Sequence, residues 1–375
     1  MKPILRPFRP VKPGEILQEE LNARSWTQVD LAEILDRPVQ AINEIIAGKK
    51  AITPDTAMAL SLALGTSSEY WLNLESAYRL DLLYARRSNG SDIARRARLY
   101  TLTPVKELLK RRWIHVPDPR DLDRLEREVC RFLAIPSLES KPRIAFAARK
   151  TYREDPHTPS QIAWVSRVKH LAARLSVARF SKRRFEPGIR ELPRLSIREK
   201  DTSRLPGVLA DLGVRFVIVE HLPGTRIDGA ALWLDDGSPV VAVSLRYDRV
   251  DGFWFTLMHE LAHIVEGGGK RSARLDDGLV GRDAEPTEGK SGHETRADRV
   301  ASEWLIPEQA LEAFILRTRP DFSRSAILSI ADEVGVHPAI VVGRLQHMAV
   351  IPWTHHRNLL GKIRHVFARE YRTRA

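Results

Sequence analysis

The sequence has 375 residues, 43% of them hydrophobic, which favours two or three domains and argues against a mainly disordered chain. No stretch approaches the roughly 20 apolar residues of a membrane helix, the N-terminus lacks an apolar signal-peptide core, and the single cysteine, Cys130, excludes an internal disulfide. These features predict a soluble, cytoplasmic protein without a membrane partner.

The charge of the chain is basic and unevenly distributed. Its 60 Lys and Arg exceed its 48 Asp and Glu, giving a formal net charge of +12 that suits a polyanion such as DNA. Residues 141–200 hold 16 Lys and Arg against 5 Asp and Glu, which is nearly the whole surplus. That segment fits a solvated helical face as well as it fits contacts to nucleic acid.

Apolar residues recur at helical spacing from Pro13 to Leu82 and predict four or five short helices. The pattern has four breaks, at Ser25, Arg37-Pro38, Gly48 and Gly65. Thr27 is placed to cap one helix, and Pro38 stands at the start of the next, which runs to about Ala47.

The two helices that flank Pro38 have the arrangement of a helix-turn-helix, in which the second helix enters the major groove. Three residues of that second helix face inward by spacing: Ile42, Ile45 and Ile46. Three face outward: Gln40, Asn43 and Glu44. Gln and Asn can bond an adenine edge, and three cations could reach phosphates, namely Arg37, Lys49 and Lys50. On spacing alone an ordinary helical bundle is favoured over a DNA-binding module.

Residues 12–80 resemble HigA-type antitoxins of the Xre superfamily along their whole length. The most specific matches are Pro13-Gly14-Glu15, Thr27-Gln28, Leu31-Ala32, Gly48-Lys49, Ile52-Thr53 and Trp71-Leu72-Asn73-Leu74. The resemblance implies an all-α domain over residues 1–82 that binds a double-stranded DNA operator as a homodimer, and it makes a toxin a candidate partner. The residues predicted to contact DNA are Gln28, Arg37, Gln40, Asn43, Glu44, Lys49 and Lys50. Arg37-Pro38-Val39 departs from the family's usual Val-Ser-Arg, so the operator sequence cannot be carried over.

Residues 83–200 form a basic middle region that is predicted to be helical, with breaks at 88–91 and 116–119. Within it, "QIAWVSRVKHLAARL" has the pattern of an amphipathic helix. Its predicted buried stripe is Trp164, Val168, Leu171 and Leu175. Between Leu83 and Leu133 no catalytic motif is recognisable.

After Pro206, three short β-rich runs, "RFVIVEHL", "AALWL" and "VVAVSL", predict a small sheet. A helix follows from Trp254 to Val265 and contains the sequence HELAH. Residues four apart share a helix face, so His259 and His263 can bind one zinc ion with Glu260 beside the metal's open position. The sequence therefore predicts a metallopeptidase centre.

A catalytic zinc needs one more protein ligand beyond the two histidines. The candidates downstream are Glu266, His293, Glu294, Asp298 and Glu303. Glu266 would point along the helix of His263, whereas Glu294 begins a new helix that could cross the site. The polar, glycine-rich stretch 267–292 between them is predicted to be a mobile loop.

The ImmA/IrrE family is similar to two segments of this chain, residues 229–264 and "HETRADRVASEWLIP" at 293–307. A further resemblance, to the section that joins Xre and ImmA/IrrE domains in longer regulators, is carried by Ala147–Lys150 and Trp164. The resemblance implies a zincin-like α+β metallopeptidase domain over 201–375, with zinc as cofactor. It makes Glu294 the third ligand and Asp298 a second carboxylate that holds a ligating imidazole. His293 is the rival ligand.

The predicted fold is thus α+β and mainly helical.

Two functions are compatible with these predictions. In the first, a DNA-binding regulator uses a zinc endopeptidase, with Glu260 as general base, to cut a protein substrate: itself or a helix-turn-helix partner. In the second, it is a non-proteolytic repressor or antitoxin-like regulator whose metal domain senses a ligand or dimerises. Candidate cleavage segments are 88–91 and 155–160, and candidates to stabilise the oxyanion are His221, Arg246, Tyr247 and Arg249.

Overall fold

The structure, a computed structural model, describes residues 11–86, 90–142, 158–234, 237–267, 274–277, 279–280 and 292–367. The chain divides into two compact units, Met1–Arg95 and Arg96–Ala375. As predicted, it is mainly helical with a small sheet. Ala147–Lys150 and half of each candidate cleavage segment, residues 88–89 and 155–157, lie outside the described residues.

The N-terminal unit is built from five helices and the start of a sixth, and it has its own apolar core. They are α1 (Pro13–Ala23), α2 (Gln28–Ile34), α3 (Val39–Ile46), α4 (Pro54–Leu64), α5 (Ser68–Arg86) and α6 (Gly90–Leu102). Buried side chains from the first five helices meet in one cluster, and its largest members are Leu17, Leu21, Leu31, Ile42, Leu60 and Trp71. The predicted helical spacing is therefore confirmed.

Local chemistry sets the ends of the two central helices. The Thr27 hydroxyl accepts a hydrogen bond from the Asp30 N–H at 3.1 Å, and the Asp30 carboxylate accepts one from the Thr27 N–H at 2.6 Å. This reciprocal capping box satisfies two helix-end donors at the start of α2. Pro38 is the N-cap residue of α3 and so stands at the start of this helix, as predicted.

Gly14 explains one of the specific matches in α1. A Cβ added at this position would lie 2.2 Å from the Ile46 carbonyl oxygen and 2.6 Å from that of Ile45. The backbone of α1 therefore touches the C-terminal end of α3, and only glycine permits that approach. The contact fixes the position of α3 within its unit.

The C-terminal unit contains the sheet and the remaining helices. The helices before the sheet are α7 (Val105–Lys110), α8 (Leu122–Leu133), α9 (Pro159–Ala172), α10 (Lys182–Glu191), α11 (Glu199–Thr202) and α12 (Leu205–Asp211). The strands are β1 (Arg215–Ile218), β2 (Ile227–Trp233), β3 (Pro239–Val243) and β4 (Arg274–Asp277). The later helices are α13 (Val250–Val265), α14 (Gly292–Leu305), α15 (Glu308–Thr318), α16 (Arg324–Val334) and α17 (Pro338–His347). Three 3₁₀ helices complete the described elements: Leu192–Ser196, Arg357–Leu359 and Arg364–Phe367.

The strands lie in the order β1-β3-β2-β4, with β1 parallel to β3 and the other two pairs antiparallel. Side chains alternate between the two faces of each strand. Phe216 and Val241 pack with α13 and the helices after it, whereas Val217 and Val240 pack with α8 and α9 on the opposite face. The sheet is thus covered on both faces, and its second cover comes from the middle region.

The middle region contributes the amphipathic helix that its sequence predicts. Three of the four stripe residues of α9 are fully or nearly buried, and Leu175, just beyond the helix, packs partly buried against the same cluster. The Trp164 indole donates a hydrogen bond to the Val219 carbonyl at 3.0 Å, just past β1. Trp164 therefore belongs to the core and ties this helix to the sheet.

No single described helix is long and apolar enough to cross a membrane. Helices α16 and α17, which meet at a bend of 110°, pass such a test of length and composition only as a pair.

Candidate metal centre and nucleic-acid interface

Helix α13 carries both histidines of the HELAH sequence into the interior. His259, Glu260 and His263 are all fully buried, and the two histidine Nε2 atoms lie 3.0 Å apart. The four-residue spacing places both imidazoles on one face of the helix. Two imidazole nitrogens therefore converge at one point, as their spacing predicts.

A carboxylate from α14 joins them. The Glu294 Oε2 atom lies 3.2 Å from the His259 Nε2 and 3.3 Å from the His263 Nε2. The neighbouring His293 is exposed and lies 3.7 Å from the Glu266 carboxylate. The structure thus brings Glu294 to the cluster and leaves His293 beside Glu266.

The remaining sequence candidates lie elsewhere. Glu266 forms an ion pair with Arg296 at 3.2 Å, and the Glu303 carboxylate accepts a hydrogen bond from the Glu308 N–H at 2.9 Å. Neither belongs to the cluster of possible metal-binding groups in the described residues.

A fourth group, which the sequence did not single out, completes the cluster. Asp276 on β4 is 2% exposed, and its Oδ2 atom lies 3.7 Å from the Nε2 atoms of both histidines. It falls inside the stretch predicted to be a loop, and the described part of that stretch contains β4 instead. An acid in a polar, glycine-rich segment gives no signal of burial in the sequence, because the burial arises from pairing with β2.

These donor atoms fit a divalent metal. A tetrahedral zinc with bonds of about 2.0–2.1 Å separates its ligand atoms by about 3.3 Å. The pairs formed by His259, His263 and Glu294 are separated by 3.0–3.3 Å, and each histidine Nε2 lies 3.7 Å from the Asp276 Oδ2. Nitrogen and carboxylate oxygen are donors that zinc accepts. The four side chains could therefore surround one metal ion.

Asp298 lies beside the Nδ1 atom of His259. Its Oδ1 atom lies 2.9 Å from the His259 Nδ1, one turn of α14 beyond Glu294. Burial lowers the pKa of His259, but Asp298 and Glu294 outweigh it and raise that pKa to about 9. A metal entering this centre must therefore displace a proton. Although burial opposes ionisation of Glu294, the hydrogen bonds from both histidines hold its pKa well below the usual value.

Glu260 lies next to the cluster under β2. Burial raises its pKa well above the usual value, and the nearby carboxylates of Asp276 and Glu294 add to the effect. A Cβ added to Gly229 of β2 would lie 2.3 Å from the Glu260 Oε1, so Gly229 makes the space for this carboxylate.

Of the residues predicted to contact DNA, the two proposed base readers are exposed on α3. Gln40 and Asn43 face solvent, and the Gln40 amide donates a hydrogen bond to the half-buried Glu44 at 3.1 Å. Lys49 and Lys50 are also exposed, just beyond the end of α3. These side chains form one polar surface along and beyond the helix.

The other two predicted DNA contacts have partners inside their unit. Arg37 is half-buried, pairs with Asp55 and donates a hydrogen bond to the Thr56 hydroxyl at 2.9 Å. The Gln28 side-chain amide donates a hydrogen bond to the side-chain Oε1 atom of Gln18 at 2.9 Å. Arg37 can reach a phosphate only if it shares or leaves its partners.

Two family descriptions match this chain. Residues 17–71 match the family Helix-turn-helix, and residues 212–346 match the IrrE N-terminal-like domain of a peptidase family. The uncharacterized HTH-type transcriptional regulator YddM of Escherichia coli (strain K12) is 32% identical over 90 residues, which cover 24% of this chain and 92% of that protein. This chain belongs to the HTH-type regulators and carries an IrrE-like domain. The resemblances to Xre and ImmA/IrrE proteins are thereby confirmed.

Further similar proteins match the same N-terminal segment. Virulence-associated protein I of Dichelobacter nodosus is 38% identical over 73 residues, covering 19% of this chain and 68% of that protein. An addiction module antidote protein of a HigA family from Coxiella burnetii is 38% identical, with 23% of this chain and 94% of that chain covered and a TM-score of 0.22. The Pseudomonas aeruginosa antitoxin HigA, solved with the higBA promoter, is 36% identical over 23% of this chain and 91% of that chain, with a TM-score of 0.21. The two family matches and the 32% identical regulator make this chain a DNA-binding helix-turn-helix regulator with a peptidase-family domain.

Proposed function

We propose that this regulator binds an operator through its N-terminal unit and that its IrrE-like domain is a zinc-dependent endopeptidase. The observation that carries the enzymatic half is the position of Glu260, a fully buried carboxylate beside two histidines and Glu294. A site kept only for structure needs no carboxylate there. Two histidines and a glutamate are also a ligand set of catalytic zinc sites, which leave one position to water.

In this mechanism His259, His263 and Glu294 would hold the zinc, which would polarise the scissile carbonyl and lower the pKa of a water molecule. Glu260 would accept a proton from the water that attacks the carbonyl carbon and deliver it to the leaving nitrogen as the C–N bond breaks. Asp298 keeps the His259 ring oriented, because it lies at hydrogen-bonding distance from the Nδ1 atom. The bond that breaks is a peptide bond in a regulator, either this chain or a partner.

The proposal is tested by incubating the full chain with zinc, with and without operator DNA and cell extract. Fragments are identified by mass spectrometry, and the Glu260→Gln chain is treated in parallel. Fragments that form only with the wild-type chain support the peptidase.

The ligand set has its own test. We expect one zinc per purified chain, and we expect Glu294→Ala to lose most of its zinc because it removes a carboxylate ligand. His293→Ala is the matched control, since His293 is the adjacent exposed residue. Metal analysis after dialysis measures both. Full zinc in Glu294→Ala together with its loss in His293→Ala would show that the assignment is wrong.

For the DNA-binding half, we propose that α3 lies in the major groove and that two copies of the chain bind two half-sites. Exposure of Gln40 and Asn43 on α3 supports base reading by these residues, and the exposed Lys49 and Lys50 support phosphate contacts. The P. aeruginosa HigA structure, which contains a promoter, supports the chain's own promoter as the first operator to examine.

Substitutions can distinguish residues that read bases from residues that contact phosphates. Replacing Gln40 and Asn43 by Ala should weaken specific binding by about 1–3 kcal/mol per lost base contact and leave nonspecific binding nearly unchanged. Lys49→Ala is the contrasting control and should weaken binding to all sequences. Footprinting and titration on promoter and random DNA measure these effects. Equal losses on both DNAs for the Gln40 and Asn43 variants would reject their role in reading bases.

A non-proteolytic regulator is the second candidate function. The observation in its favour is Asp276, whose carboxylate stands where a fourth ligand would close the metal site. Closed sites are typical of structural zinc, whereas catalytic sites keep one position open. The same cleavage assay decides between the two functions.

A further inference from the structure

The edge of β2 passes directly over the catalytic carboxylate. Gly229, in the middle of this strand, is the residue whose added Cβ would touch Glu260. The backbone groups on the outer edge of a strand can pair with any extended peptide. A substrate peptide added along β2 would therefore run past Glu260 and the two histidines.

That edge is already occupied by the chain itself. Strand β4 pairs antiparallel with β2, with Leu275 opposite Ala230 and Asp276 opposite Gly229. Opposite residues of an antiparallel pair point to the same face. The Asp276 side chain accordingly points to the face of the sheet that carries α13 and the metal centre, the face on which an added Gly229 Cβ would lie. The Leu275 side chain packs with the cluster on the other face.

The residues after β4 hold it in place. The Leu279 N–H donates a hydrogen bond to the Asp228 Oδ2 at 2.8 Å, and the Leu279 side chain is buried. Asp228 is itself fixed by Arg246, whose Nε atom donates to the Asp228 Oδ1 at 2.8 Å. Val280 lies against α13 at Gly252, where an added Cβ would be 3.6 Å from its side chain. Backbone pairing, a buried anchor and Asp276 thus all place this segment over the centre.

We infer that β4 is an internal occupant of the peptide-binding edge, with Asp276 as fourth metal ligand, and that it closes the centre until β4 leaves β2. This inference rests on the proposed function, because it concerns access to the same zinc centre. The occupant that replaces β4 is an extended stretch of protein. Its carbonyl takes the position of the Asp276 carboxylate.

Access to the metal can be measured without proteolysis. The full chain is loaded with Co²⁺ and titrated with acetohydroxamate, a small chelating anion, while the visible spectrum is recorded. If β4 is closed in about nine chains of ten, the wild-type chain binds the probe about tenfold more weakly than an open chain does. Asp276→Ala should therefore bind acetohydroxamate about tenfold more tightly than wild type. The control Glu312→Gln removes an exposed charge on α15 and should behave as wild type.

Two further variants guard against misfolding. Asp276→Asn keeps the shape of the side chain and replaces Asp276→Ala if that variant fails to fold. Leu275→Ala keeps the carboxylate but removes packing on the other face of β4, so its affinity for the probe should fall between those of wild type and Asp276→Ala.

Hydrogen exchange reports on β4 directly. Zinc should slow exchange of the amides of residues 274–277 in the wild-type chain, because the metal ties β4 down through Asp276, and should not slow it in Asp276→Ala. The inference is overturned if wild type and Asp276→Ala bind the probe equally tightly and zinc changes hydrogen exchange in neither chain. If the wild-type chain still cleaves protein and the Glu260→Gln chain does not, the proposed function stands even though the inference fails. A wild-type chain that binds no metal overturns both.

Discussion

The Glu260→Gln chain is expected to keep its fold and its metal while its rate of peptide cleavage falls by about 10²–10⁴-fold, the usual contribution of a general base. Glutamine fills nearly the same space beside Gly229 but cannot accept the proton of the attacking water. Cleavage is measured from the rate of fragment formation, with metal content and thermal unfolding determined on the same preparations.

Glu266→Gln is the matched control for this experiment. Glu266 stands at the C-terminal end of the same helix, but its carboxylate pairs with Arg296. Loss of the Glu266 charge should leave the cleavage rate within a few-fold of the wild-type rate. If neither wild type nor Glu260→Gln cuts any protein, and both repress the promoter equally, the IrrE-like domain is a sensor or scaffold.

Asp228→Ala should lower the free energy of unfolding of the C-terminal unit by about 3–5 kcal/mol, as expected when one partner of a buried ion pair is removed. Asp228 is 3% exposed, and its two carboxylate oxygens bind the Arg246 guanidinium at 2.8 and 3.1 Å. The alanine leaves the Arg246 charge and the Leu279 N–H without this acceptor. Urea unfolding followed by tryptophan fluorescence measures the change.

Asp211→Ala, at an exposed position on α12, is the control and should change stability by less than about 0.5 kcal/mol. The double variant Asp228→Leu with Arg246→Met should recover much of the loss, because it removes both buried charges together. An Asp228→Ala chain as stable as Asp211→Ala would contradict the importance of this pair.

Local sequence patterns were sufficient for the helices of the N-terminal unit and for the two histidines of the candidate metal centre. Thr27 and Asp30 form their cap within four residues, and His259 and His263 converge because one helical turn separates them. Such features depend on neighbours along the chain, so they can be inferred from spacing. Glu294 could be chosen over His293 only through the resemblance to the ImmA/IrrE family, since spacing left both candidates open.

Only the tertiary structure decided the features that depend on distant segments. Gly14 is needed because α1 touches the backbone of Ile46, and the middle region covers a face of the sheet through α9. Asp276 reaches the metal centre because β4 pairs with β2, more than forty residues earlier in the chain. An acidic residue in a short polar segment has the same sequence appearance whether it is solvated or buried. Its environment is set by the partner strand, and strand pairing is a long-range interaction that no local pattern specifies.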